Sequence, residues 1–207
     1  MAELRRSIDE FLTRLHRRYA GAAASAAPPA AEFRSLLAVW PEGREPTAPT
    51  PKRLPACDHL ATALSAGLSG PEAALAEALS ELAPALAWTY SYPARAGQPD
   101  LSGAVAFSQI VGPGGFRRSD RLRLGLTLIA PGTHYPPHAH PAVETYLVIA
   151  GTALWSLGDA AAAAQPSGAL ILHPSGMAHA MQTGTEPLLA IWSWRGDVTS
   201  PSVYLEG

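Results

Sequence analysis

At about residue 88 the hydrophobic period of this chain changes from that of a helix to that of a strand. In RLRLGLTLIA, Leu122, Leu124, Leu126 and Leu128 alternate with Arg121, Arg123, Gly125 and Thr127, which predicts a half-buried strand. VETYLVI and GALILH follow as short strands, and in PLLAIWSW residues Leu188, Ala190, Trp192 and Trp194 share one face. Turn signals (PG, AG, GD, PSG, TG) separate these runs at near-regular intervals. Many short strands so punctuated predict a β-sandwich or closed barrel, and no internal repeat suggests a second one.

Upstream, Leu4, Ile8, Phe11, Leu12, Leu15 and Tyr19 fall at helical spacing with Arg and Glu opposite, as in an amphipathic helix. Residues 21–30 (GAAASAAPPA) are expected to be a small-residue linker and residues 31–40 a short helix. The five prolines in 41–55 predict a loop. A further helix is expected from Asp58, as N-cap, to about Ala66. Ser69 to Glu72 has the form of a capping box opening another, with Leu75, Ala78, Leu79 and Leu82 as its buried stripe. The expected architecture is mainly β: a helical region over residues 1–84 packing on a single barrel over residues 85–207.

Composition excludes several classes. The formal net charge of the 207 residues is −2, and no basic run is long enough to track phosphates, so no nucleic-acid partner is expected. No apolar stretch approaches the ~18 residues of a membrane span. The opening MAELRRSIDEFLTRLHRRY lacks a secretory apolar core, and Glu3, Asp9 and Glu10 argue against a transit peptide. The lone Cys57 forbids an intrachain disulfide and is expected to be a small buried residue. A cytoplasmic protein is expected, as monomer or homodimer.

The chemistry is concentrated between Gly132 and Thr183. His138 and His140 are two apart, so on a strand they project to one face. Glu144 and Tyr146 share a parity on the next strand, and if the turn at Pro141 keeps the phase all four side chains face one interior. GALILHPSGMAHAMQT adds His179 from another strand. Three imidazoles and a carboxylate suit one divalent metal, with Fe(II), Zn, Mn and Ni all open.

These residues reproduce both motifs of the cupin superfamily. G-x5-HxH-x3-E-x6-G is matched at every fixed position from Gly132 to Gly151. G-x5-PxG-x2-H-x3-N is matched at Gly168, Pro174, Gly176 and His179, with Thr183 in place of the final Asn. A single cupin double-stranded β-barrel, or jelly roll, is the expected fold. HYPPHAHPAVETYLVIAGTALW and HPSGMAHAMQTGTEPLLAIWSWRGD resemble the cupin-type dimethylsulfoniopropionate (DMSP) lyases of marine bacteria, the DddQ group above all, over roughly residues 118–200. That resemblance implies metal ligation by His140, Glu144 and His179, with His138 near the metal and its direct ligation open. It places Tyr146 on or beside the metal as a proposed base, Tyr135 in the pocket, and an aromatic pocket residue at Trp194.

The implied reaction is a β-elimination of a zwitterionic sulfonium carboxylate to dimethyl sulfide and acrylate. Tyr146 and Tyr135 are the candidate bases, and the choice between them is open. Aromatic faces suit the sulfonium cation, which nominates Trp194 and Trp192 by strand parity, with Trp155 and Tyr90 further off. His134 is a candidate on the substrate side, and His173 is expected either near the pocket mouth or as a plain strand-end histidine. His16 and His59 are expected at the surface or in packing, and Arg195 as a solvated strand-end residue, with pairing to a carboxylate as the alternative. Two other readings fit the same metal shell: another mononuclear cupin enzyme, such as an Fe(II) dioxygenase or isomerase, or a non-enzymatic cupin binding metal or a small anion.

Overall fold

The computed structural model describes residues 2–26, 29–41, 47–92 and 100–205. Its helices are α1 (Ala2–Ala23), α2 (Ala30–Leu37), α3 (Leu60–Leu68) and α4 (Ala73–Leu82), with 3-10 turns at Pro55–His59 and Ala83–Ala85. The strands are β1 (Trp88–Thr89), β2 (Val105–Val111), β3 (Leu122–Ile129), β4 (His134–Ala139), β5 (Val143–Ala150), β6 (Ala153–Leu157), β7 (Ala163–Gln165), β8 (Leu170–His173), β9 (His179–Thr183), β10 (Leu188–Arg195) and β11 (Val203–Tyr204). They form two antiparallel sheets, β1-β2-β3-β10-β5-β8 and β11-β4-β9-β6-β7, the expected jelly-roll barrel with helices before it. No helix among the described residues is long and apolar enough to cross a membrane.

The helices cover the outer face of the six-stranded sheet. Ile8, Phe11, Leu15 and Tyr19 of α1, with Leu75, Leu79 and Leu82 of α4, form one apolar cluster with Leu122, Leu124, Leu126, Leu128, Leu147 and Ile191 of the sheet. The alternation on β3 therefore marks a strand buried on both faces, not a half-buried one. Its leucines meet the helices, and Gly125 and Thr127 are equally buried against the barrel interior. Two polar ties reinforce this packing. The Tyr19 hydroxyl lies 3.0 Å from Ser193 Oγ, and Arg195 donates two hydrogen bonds, 2.6 and 2.8 Å, to the Glu32 carboxylate. Arg195 is thus paired rather than solvated.

Helix boundaries differ from expectation for local reasons. The alanine-rich start of the supposed linker has high helix propensity, and α1 continues through Ala23. Of the proline-rich segment, residues 42–46 lie outside the described residues; the rest is strapped down by Thr47 N–H on Phe116 O and Lys52 N–H on Leu86 O. Asp58 sits inside a 3-10 turn rather than capping α3. No side chain caps α4; Glu72, instead of closing a capping box, accepts a 2.7 Å bond from Arg18 Nε.

Two backbone features shape the interior. At Gly125 an added Cβ would lie 2.2 Å from Ser108 O and 2.6 Å from Trp192 Cζ2, so the bare position makes room for the indole against β3. In β4 the register with β9 slips by one residue between Tyr135, opposite Met181, and His138, opposite His179. This bulge falls on Pro136 and Pro137, where no strand N–H is lost. It turns both Tyr135 and His138 inward although they are three apart.

Candidate functional site

Glu144 lies at the centre of the site, 2% exposed. Its cross-strand neighbours are Trp194 on β10 and His173 on β8, and both reach its carboxylate. Trp194 Nε1–H donates to Oε1 at 2.6 Å, and His173 Nδ1 lies 3.0 Å from Oε2. On the remaining side of Oε2 are His140 Nε2 at 3.0 Å and His179 Nε2 at 3.3 Å. Ligand atoms of His140, Glu144 and His179 all lie within 4.8 Å of one another.

Hydrogen bonding fixes what these imidazoles can offer. His140 Nδ1 faces Ala142 O at 3.1 Å and His179 Nδ1 faces Met177 O at 2.9 Å. A carbonyl only accepts, so each Nδ1 carries a proton, and in the neutral form that a metal ligand requires, Nε2 turns a lone pair toward the carboxylate. His179 Nε2 is buried and makes no hydrogen bond. Lone pairs facing a carboxylate across about 3 Å repel unless a cation lies among them. Donor atoms bound at about 2.0–2.2 Å to one ion sit roughly that far apart. The triad His140, Glu144 and His179 therefore fits a divalent metal.

His138 lies beside this set. Its ring centroid is 4.1 Å from those of His179 and Tyr135, and its Nδ1 is 2.9 Å from Pro136 O, so it too presents Nε2 as acceptor. Burial holds its pKa well below the usual histidine value.

A cavity of about 420 Å³ opens onto His140 and Glu144 of the triad and is lined also by Tyr92, Phe107, Arg123, Tyr135, His138, Tyr146, Trp192 and Trp194, with Thr199 and Ser202 among others. The size is within the usual range for small-molecule sites. Tyr146 is buried with its hydroxyl 3.5 Å from Thr127 Oγ1. Burial first, then the charge of Glu144, raises its pKa well above the ordinary tyrosine value. Tyr135 is raised likewise by burial and by neighbouring Tyr92, whose hydroxyl lies 2.5 Å away and donates to Ser202 Oγ at 2.8 Å.

The cavity gathers Tyr135, Tyr146, His138, Trp192 and Trp194 around the triad. Trp194 is already engaged: His140 lies 4.2 Å from its ring, and the Arg123 guanidinium sits 5.8 Å over it. His134 is not in the cavity. It is exposed, on the face of β4 opposite Tyr135, and this corrects its nomination as a substrate residue. Trp155 is also absent from the lining, and Tyr90 instead bonds Tyr204 (2.8 Å between hydroxyls). Thr183, which replaces the motif Asn, accepts from Thr133 N–H at 2.8 Å and donates to Ala130 O at 2.7 Å, so it clamps a turn. Sequence reasoning missed Tyr92 and Arg123. The aromatic alternation of WTYSY before β2 pointed to the first, and the parity of Arg123 with Gly125 and Thr127 to the second.

Comparison with known proteins gives relatives in sequence and in fold. A protein of Cereibacter sphaeroides assigned as the dimethylsulfoniopropionate lyase DddL is 37% identical over 148 residues, 70% of this chain and 61% of that protein. The dimethylsulfoniopropionate lyase DddQ of Ruegeria pomeroyi is 33% identical over 122 residues, 58% of this chain and 61% of that protein. The matched part thus spans less than two thirds of either relative. Among solved structures, one from a study of the DMSP lyases RdDddP and RnDddQII superposes with a TM-score of 0.80 at 29% identity, covering 98% of this chain and all of that one. DddQ from Ruegeria pomeroyi gives 0.75 at 27% identity, covering 97% and 98%. The family model for dimethylsulfoniopropionate lyase matches residues 31–190, and the chain belongs to that family.

Proposed function

We propose that this protein is a metal-dependent carbon–sulfur lyase that cleaves DMSP to dimethyl sulfide and acrylate. The observation that carries this reading is that two buried phenols, Tyr135 and Tyr146, line the same cavity as His140 and Glu144. Family membership supplies the substrate class.

His140, Glu144 and His179 are the proposed metal ligands, with His138 as a further candidate; Fe(II), Zn, Mn and Ni remain compatible with the donor set. A divalent cation bound there supplies the positive charge that acidifies a neighbouring phenol and stabilises charge on a substrate carboxylate. Tyr146, two residues from Glu144 on β5, is the proposed base that takes the proton from the carbon beside the carboxylate, with Tyr135 as the other candidate. The C–H electrons become the carbon–carbon double bond, the β carbon–sulfur pair leaves on sulfur, and dimethyl sulfide and acrylate separate. Trp192 and Tyr92 offer aromatic faces to the sulfonium, each worth about 0.5–2 kcal/mol. Trp194, with Arg123 over its ring and its N–H on Glu144, is better suited to holding that carboxylate in place.

The test is purified protein loaded in turn with Fe(II), Mn, Ni and Zn, given DMSP, and read by headspace dimethyl sulfide and by acrylate. Both products are expected in equal amounts with at least one metal. Their absence with every metal removes the DMSP assignment.

A further inference from the structure

Among the buried titratable groups, His173 is one that the proposed mechanism does not use. It is fully buried at the end of β8. Its Nδ1 lies 3.0 Å from Glu144 Oε2, and its Nε2 accepts from Trp155 Nε1–H at 3.0 Å. An indole N–H has only a hydrogen to offer. Nε2 must therefore be the lone-pair nitrogen, and the proton of the neutral ring resides on Nδ1, facing the carboxylate. This differs from His140 and His179, whose Nδ1 protons are spent on backbone carbonyls and whose Nε2 lone pairs point at the same oxygen. Were His173 to ligate through Nδ1, its proton would move to Nε2 and confront the indole N–H, two donors head to head in a buried site. The geometry excludes His173 as a ligand and makes it a donor to one.

We infer that Trp155 and His173 form a positioning relay across the barrel, from β6 of one sheet to β8 of the other, which sets the rotamer of the metal-binding Glu144 carboxylate. Trp155 holds the His173 tautomer, His173 Nδ1–H takes one lone pair of Oε2, and the other is left for the ion. Trp194 holds Oε1 from the opposite side. Partners of this kind typically change metal affinity about 10–100-fold when removed. The inference rests on the proposed metal site.

The test uses the full chain and zinc, with affinity measured by competition against a chromophoric chelator and thermal melting of the metal-free protein followed in parallel. His173→Leu, which removes the donor, is expected to weaken zinc binding about 10–100-fold. His173→Asn places an amide N–H near the Nδ1 position and is expected to restore affinity to within about threefold of wild type, as no merely structural role would require. Trp155→Phe is expected to fall between the two. Equal affinity of His173→Leu and wild type overturns the relay and leaves the metal site standing, as does a His173→Asn loss as large as that of Leu. A wild type that binds no zinc, iron, manganese or nickel removes the metal site and the relay with it. Imidazole nitrogen NMR of the wild type keeps the inference testable if a variant fails to fold: His173 must carry its proton on Nδ1, and the opposite tautomer overturns the relay.

Discussion

On β3, Leu122, Leu124, Leu126 and Leu128 belong to the cluster shared with the helices, whereas Arg123 lines the cavity, Gly125 underlies Trp192 and Thr127 faces Tyr146. The same division runs through β5, where Leu147 and Ile149 face the helices while Glu144 and Tyr146 face the cavity, and through β10, where Ile191 faces the helices while Trp192 and Trp194 face the cavity. One face is made of interchangeable apolar volume, and its stability is spread over many contacts. The other is made of unlike residues, and several have a specific partner, as Trp194 and Tyr146 do in Glu144 and Thr127. The helices allow this division by burying the leucines; inside the barrel a second apolar cluster, with Val105, Ile129, Val148, Met181 and Leu188, packs beside the cavity.

Substitutions on the two faces are expected to separate fold from chemistry. Tyr146→Phe on the cavity face is expected to keep the melting temperature within a few degrees and to cut acrylate release by roughly 10²–10⁴-fold. Leu124→Ala on the helix face reverses the pattern: urea unfolding is expected to show a loss of about 2–5 kcal/mol, with zinc affinity unchanged. A Leu124→Ala protein that melts normally but binds zinc weakly would break the comparison. Gly125→Ala tests the boundary between the faces. Its Cβ meets Ser108 O and the Trp192 ring, so a loss of about 1–3 kcal/mol is expected, accompanied by a change in tryptophan fluorescence.

The smallest effect concerns a contact between the layers. Burial pushes the Tyr19 hydroxyl up to about 12, against the hydrogen bond with Ser193 that pulls it down. Below about pH 10 the folded and unfolded chains both hold this proton, and the contribution to stability is complete. Above that the unfolded tyrosine ionises first, so stability falls as pH rises toward the folded value. Between pH 9 and 11 the wild type is expected to lose about 1 kcal/mol more than Tyr19→Phe in urea titrations. Equal losses would mean that this hydroxyl is solvated.

Much of this arrangement was legible in the sequence where a period or a spacing carried it. The β3 leucines, the α1 stripe and the motif from Gly132 to Gly151 each obey a repeat, and strand parity brings His140, Glu144 and Tyr146 inward. What the sequence could not carry was pairing between distant strands. Nothing local to His173 indicates that Trp155 lies behind it and Glu144 in front. Trp194 read as an open aromatic face because Arg123, which covers it, is 71 residues away in the chain yet directly across the strand pair. His134 falls outside the cavity because nothing in its own neighbourhood marks the bulge that sets which β4 side chains face inward.

That irregularity has a consequence for related sequences. Because the bulge at Pro136–Pro137 adds one residue to β4, the inward turn of Tyr135 depends on a count rather than on an identity. A relative that keeps every motif residue but is one residue shorter between this tyrosine and His138 would present its phenol to solvent. Aligned chains should therefore be sorted by that interval before an activity is transferred from one to another.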